Sequence, residues 1–125
     1  MRISTFVHGI LDYLTGLLLI SSPWLLRFGS DRAEATLAWA IGGAIIFLSL
    51  ITDYELAVLR FVPFPGHRFL DIIFGILLMG APIHFATSPL TSVVFVGAGL
   101  LEFGAAILTR QTKTARRPLF PGGSV

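Results

Sequence analysis

At 125 residues the chain has room for one domain. Hydrophobic residues make up 54% of it and charged residues 13%, and the mean hydropathy is +0.84; a soluble domain this small needs a polar surface that these residues cannot supply. A formal charge of +2 says little as a total, and the absence of cysteine excludes disulfides and thiolate metal sites.

The apolar residues fall in four runs. Phe6 to Leu26 carries one charge, at Asp12. Ala35 to Thr52 carries none, Ile72 to Thr87 has only the ionisable His84, and Pro89 to Thr109 has only Glu102. Such runs approach the ~20 residues that cross a bilayer core. Backbone in lipid must satisfy its own hydrogen bonds, so the runs should be helices. The expected fold class is an all-α membrane protein of four transmembrane helices. The first helix does not read as a cleaved signal: it contains Asp12, and no A-x-A-like site follows.

Helix punctuation supports these bounds. Asp31 with Glu34 is a capping pair for the second helix, and Ser88-Pro89 opens the fourth. Thr52 with Glu55 forms a T-x-x-E box, which predicts a short helix from Asp53 to Val62 at the interface, too short to span. Pro63, Pro65 and Gly66 then turn the chain into the third helix. Residues 1–110 form the expected transmembrane domain, and 111–125 a basic tail expected to be disordered.

With four spans, the N-terminus, the central loop and the tail share one side, which holds Arg2, Arg60, Arg68, Arg110, Lys113, Arg116 and Arg117. The other side holds Arg27 and Arg32. This asymmetry predicts cytoplasmic termini in a cell inner membrane, with Trp24 and Trp39 near the outer interface.

The chain also repeats itself. His8-Gly9-Ile10-Leu11-Asp12 aligns with His67-Arg68-Phe69-Leu70-Asp71, and the register continues through Gly16 and Gly75 to Pro23 and Pro82. The second helices match more weakly, Gly43 and Phe47 against Gly99 and Phe103, which sets Ile46 opposite Glu102. The implied architecture is two tandem, parallel helical hairpins, about 4–62 and 63–110, related by an axis along the membrane normal.

These residues resemble the SPW-repeat family of small bacterial membrane proteins. The likeness rests on the His8 to Tyr13 stretch, Ser22-Pro23-Trp24, Thr52-Asp53-Tyr54-Glu55 and the His67/Asp71 segment. It implies four membrane helices with two copies of a short motif, and no activity. The second copy departs from the pattern, with Ala81-Pro82-Ile83 in place of Ser-Pro-Trp.

The polar residues inside the runs are the candidate functional ones: His8, Asp12, His67, Asp71 and Glu102. Each His–Asp pair is spaced i, i+4 and so shares a helix face, with about 6 Å of axial rise between its members. A carboxylate there is costly unless paired or turned inward, so each His is expected to bond the Asp of its own helix. Three readings stand: a structural hydrogen bond, a proton relay, or a divalent-metal site. Glu102 is either a neutral hydrogen-bonding group or part of a shared acidic cluster. Gly16, Gly42, Gly43, Gly75, Gly97 and Gly99 are read as close-packing positions. Ser22-Pro23-Trp24 is read as a helix terminator with an interfacial anchor.

No phosphate loop, nucleophile triad or Cys/His signature is present, so no catalytic residue, cofactor or metal is assigned, and no enzyme is expected. The partner demanded is the lipid bilayer; a homo-oligomer is left open, and no nucleic acid is expected. The function read from the residues is a structural or accessory membrane protein, the alternative being a small transporter or channel for protons or ions.

Overall fold

The computed structural model describes residues 2–30 and 32–110. Four helices account for most of them: α1 (Thr5–Leu25), α2 (Arg32–Ile51), α3 (Phe64–Phe85) and α4 (Pro89–Leu108). Each is long and apolar enough to cross a membrane, and the described residues contain no strand. The chain is a multi-pass membrane protein. Its outer surface is apolar, with Leu14, Phe47, Ile83 and Val93 all exposed, a surface that suits acyl chains. The Asp31 cap and the basic tail expected over 111–125 lie outside the described residues.

The caps explain two of the starts. The Ser4 and Ser88 hydroxyls accept from the Val7 and Thr91 amides, each at 3.2 Å, satisfying donors left open in a first turn. Both first helices of the expected hairpins stop at a left-handed residue. Arg27 (φ 59°) follows α1 and Ala86 (φ 50°) follows α3, at matching positions of the repeat and without glycine at either.

α1 packs mainly on α2 and α3 mainly on α4, and smaller α1–α4 and α2–α3 contacts close the ring. Glycine sets the closest approach. A Cβ placed on Gly42 would lie 2.9 Å from the Gly16 carbonyl oxygen, and one on Gly99 would lie 2.7 Å from that of Gly75. Backbone cannot retreat from such a contact, so α1/α2 and α3/α4 each cross glycine on glycine. Gly43 and Gly97, also read as packing positions, face open space. The contacts move the register of the second helices by one residue: Gly42, not Gly43, corresponds to Gly99, and Ile45, not Ile46, to Glu102. The weak match had no anchor beyond two common residue types.

The buried interior divides in two. Leu19, Phe28, Ile41, Ile45, Leu78 and Phe95 make an apolar half, with Phe28 edge-on to Phe95 at 6.0 Å. His8, Asp12, Ser49, Thr52, His67, Asp71, Glu102 and Thr109 are buried polar residues, set by the first turns of α1 and α3 and by the second halves and ends of α2 and α4.

The segment Asp53 to Val62 is not the short helix expected from its T-x-x-E box. The chain folds back onto the end of α2 instead. The amides of Val58 and Leu59 donate to Leu50, and those of Phe61 and Val62 to Ile51, all at 2.9 Å. These bonds fill carbonyls that any helix end leaves open, and they draw the amides away from an i to i−4 ladder. Thr52 and Glu55 are also engaged elsewhere. The Thr5 hydroxyl donates to the Glu55 carboxylate at 2.6 and 2.7 Å, tying the loop to the start of α1.

Candidate functional site

His8 and Asp12 occupy the first two turns of α1, and His67 and Asp71 those of α3. The close approach of the helices brings all four together at 1% exposure or less. One nitrogen or oxygen from each lies within 4.8 Å of the other three. Within this group the pairing expected from spacing is not the closest one. His67 Nε2 lies 2.8 Å from Asp12 Oδ2 and 3.1 Å from Asp71 Oδ2 of its own helix. His8 Nε2 lies 3.0 Å from Asp71 Oδ2 and 3.4 Å from its own Asp12. Each histidine thus leans across to the other half of the chain. The i, i+4 spacing fixed which face the groups share, while the helix crossing fixed the partner.

The far sides of the rings are held by hydroxyls. Thr52 Oγ1 donates to the Leu48 carbonyl at 2.6 Å and so accepts from His67 Nδ1 at 2.7 Å. Thr109 repeats this, donating to the Ala105 carbonyl and accepting from His8 Nδ1 at 2.6 Å. A hydroxyl has one proton, already committed to a carbonyl, so the Nδ1 of each ring must carry a hydrogen. Nε2 of each ring therefore faces the carboxylates, as a donor when the ring is charged and as a lone pair when it is neutral. The two Nε2 atoms stand 3.3 Å apart.

The carboxylates are only partly served. Ser49 donates to Asp12 Oδ2 at 3.1 Å, while Oδ1 of both Asp12 and Asp71 is buried without a partner. Glu102 is outside the four-atom group, though buried to 1% and within Coulombic range of Asp12 and Asp71. Its Oε2 also lacks a partner.

A roof of aromatic rings covers the group at the end nearest the Asp53–Val62 loop. Phe64 stacks on His67 at 5.7 Å and stands edge-on to His8 at 5.3 Å. Tyr54, in the loop, packs 5.9 Å from His67 and is 5% exposed, and its burial pushes the phenol pKa up. Gly9 makes room for that ring, since any Cβ there would strike Tyr54. Thr52, Thr109, Ser49 and Tyr54 were not singled out from the residues as site groups. The one available signal was that Thr52 and Thr109 recur at the ends of the two second helices.

Ser22, Pro23 and Trp24 lie far from this group, at the other end of α1. Pro23 has no amide hydrogen for the Leu19 carbonyl, and the buried Ser22 hydroxyl donates to that oxygen at 2.8 Å. The Pro23 carbonyl accepts from the amides of Phe28 and Gly29, shaping the turn to α2. Trp24 packs on Trp39 at 5.3 Å, and Trp39 Nε1 donates to the Ile20 carbonyl. The motif thus repairs a break, caps a turn and joins two helices. The SPW repeat domain matches residues 6–109.

The chain belongs to the SPW repeat family. The match spans all four helices, so the His/Asp group and the Ser-Pro-Trp turn of this SPW protein both fall inside it. No curated protein and no solved structure matches the chain significantly.

Proposed function

We propose that this SPW protein is a non-enzymatic, structural or accessory membrane protein whose two tandem hairpins are clasped by the crossed His8/Asp71 and His67/Asp12 pairs. The observation that carries the reading is that each histidine sits closer to the aspartate of the other half than to its own. A bond within one helix would steady that helix alone, whereas a crossed pair holds helix to helix. Backbone contacts support the same reading. Ile3 bridges to Thr109 and Val62 to Thr52, so the entry to each hairpin is held by the exit of a second helix. The two hairpins are then parallel and related by an axis along the membrane normal. The skewed arginines and the one lysine support a clasp in the cytoplasmic half, with both termini in the cytoplasm. A C-terminal periplasmic reporter should stay silent; strong activity would reverse the orientation.

A double-mutant cycle tests the clasp. Asp12 and His67 are replaced by Asn and Gln, singly and together, and unfolding is followed in detergent. Coupling of at least about 1 kcal/mol between the two is expected for a buried charged pair; additive losses would sink the reading.

One observation favours a second reading, proton or ion passage. Glu102 places a third buried carboxyl, with an unpartnered oxygen, within range of Asp12 and Asp71. Proton uptake into vesicles, abolished by Glu102→Gln, would establish it, and equal leakage with and without the protein would remove it.

A further inference from the structure

We propose that His8, Asp12, His67 and Asp71 bind one divalent first-row transition-metal ion, through Nε2 of both histidines and Oδ2 of both aspartates. The proposal rests on the clasp reading and supplies its chemistry. With Nδ1–H fixed by threonine on each ring, the four converging atoms are all lone-pair acceptors when the rings are neutral. Four such acceptors within 4.8 Å of one another, sealed from water, repel unless protons on Nε2 or a metal cation lie among them, and a cation in that place takes the protons' role.

A divalent ion fits the spacing. Ligand arms of ~2.0–2.1 Å give tetrahedral edges of about 3.3–3.4 Å. Five of the six edges run from 2.8 to 3.4 Å and the sixth, between the two carboxylates, falls inside the 4.8 Å span of the group, so side-chain shifts that even out the edges seat the ion. It also fits the charge: two carboxylates and two neutral imidazoles around a dication sum to zero, which suits a site in lipid. The Thr52 and Thr109 hydroxyls stand where metal-bound histidines ordinarily have a carboxylate, carbonyl or water, and they fix tautomer and ring direction in the same way. The buried, unpartnered Oδ1 atoms mark both carboxylates as short of positive partners. Two imidazoles with two carboxylates disfavour calcium and magnesium, which take all-oxygen sets, and the absence of sulfur disfavours copper(I). Zinc is the ion of choice for a closed four-ligand site.

The test uses the full chain, purified without a polyhistidine tag, stripped with a chelator and held in micelles. Zinc is titrated in against a chromophoric competitor. The expected result is one equivalent per chain, a higher melting temperature on binding, and, with cobalt(II) in place of zinc, the visible spectrum of a tetrahedral ion. The His8→Gln/His67→Gln double variant should lose saturable uptake. Thr52→Val keeps all four ligands and should weaken binding about 10–100-fold. Absence of saturable uptake by folded, stripped wild type would overturn the proposal, as would uptake undiminished in the double histidine variant. If wild type takes up no zinc yet still shows the Asp12–His67 coupling, the metal falls and the clasp remains. If the coupling is absent too, both fall.

Discussion

The two halves of this SPW protein can be compared position by position, and they agree at the centre and differ around it. His8 and His67, Asp12 and Asp71, Thr52 and Thr109, Gly16/Gly42 and Gly75/Gly99 do the same work in each. The surroundings differ. Ser49 donates to Asp12, where the second half offers Ala106, whose carbonyl accepts from Arg68 Nε at 2.7 Å. Ile45 fills the place that Glu102 takes, and Ser22-Pro23-Trp24 stands opposite Ala81-Pro82-Ile83. Gly9 receives the Tyr54 ring, where the second half has Arg68. The residues shared by both copies are the His/Asp/Thr centre and the glycine-on-glycine contact inside each half, while the groups around them differ.

The largest effect should come from breaking the crossing itself. Asp12→Leu takes from His67 its closest carboxylate and leaves Asp71 alone to serve both rings, and should cost about 3–5 kcal/mol, read by unfolding in detergent. Asp12→Asn retains a hydrogen-bonding oxygen and should cost clearly less. Equal losses would mean that the charge, and not the shape or a remaining hydrogen-bonding oxygen, holds the centre.

The glycine crossings come next. Gly99→Ala places its Cβ against the Gly75 carbonyl, and Gly42→Ala against that of Gly16, so each should cost about 1–3 kcal/mol. Gly43→Ala and Gly97→Ala meet nothing and should be neutral or slightly stabilising. A loss at Gly43 as great as at Gly42 would return the register to the one suggested by the residue match.

How far the site was legible follows from which information is local. The spans could be read because an apolar run states its own length, and α1 and α4 begin and end within a residue or two of their runs. α3 begins at Phe64, earlier than the apolar run at Ile72, because its first turns carry His67 and Asp71 for the centre. The shared face of each His–Asp pair is also local, set by helical pitch. The partner is not, since Asp12 and His67 meet only because α1 and α3 approach. Thr52 misled for the same reason. T-x-x-E is a cap when the chain is free to coil, but here the Thr52 hydroxyl serves His67 and the Glu55 carboxylate serves Thr5. The left-handed turns carried no signal, because Arg27 and Ala86 are not residues that favour positive φ.

Smaller changes sharpen the comparison at the outer end. Ser22→Ala removes the donor that serves the Leu19 carbonyl and should cost about 1 kcal/mol, bringing the first half to the state of the second, where Ala81 precedes Pro82. The same helix should show faster amide exchange around Leu19. The smallest effect has the opposite sign. Ala86→Gly relieves a left-handed backbone and should stabilise by about 0.5–1 kcal/mol, seen as a modest rise in melting temperature.

The bond between His8 and Thr109 joins residues 101 apart, and Ile3 pairs with the same threonine. A ribosome feeding this chain into the membrane therefore delivers a histidine and an aspartate into lipid long before their partners exist. The first hairpin must wait, half-satisfied, until the fourth helix is inserted. During that interval its polar groups lie in lipid without the partners that the later helices supply, and the helix that arrives last is the one that completes the bonding of the first.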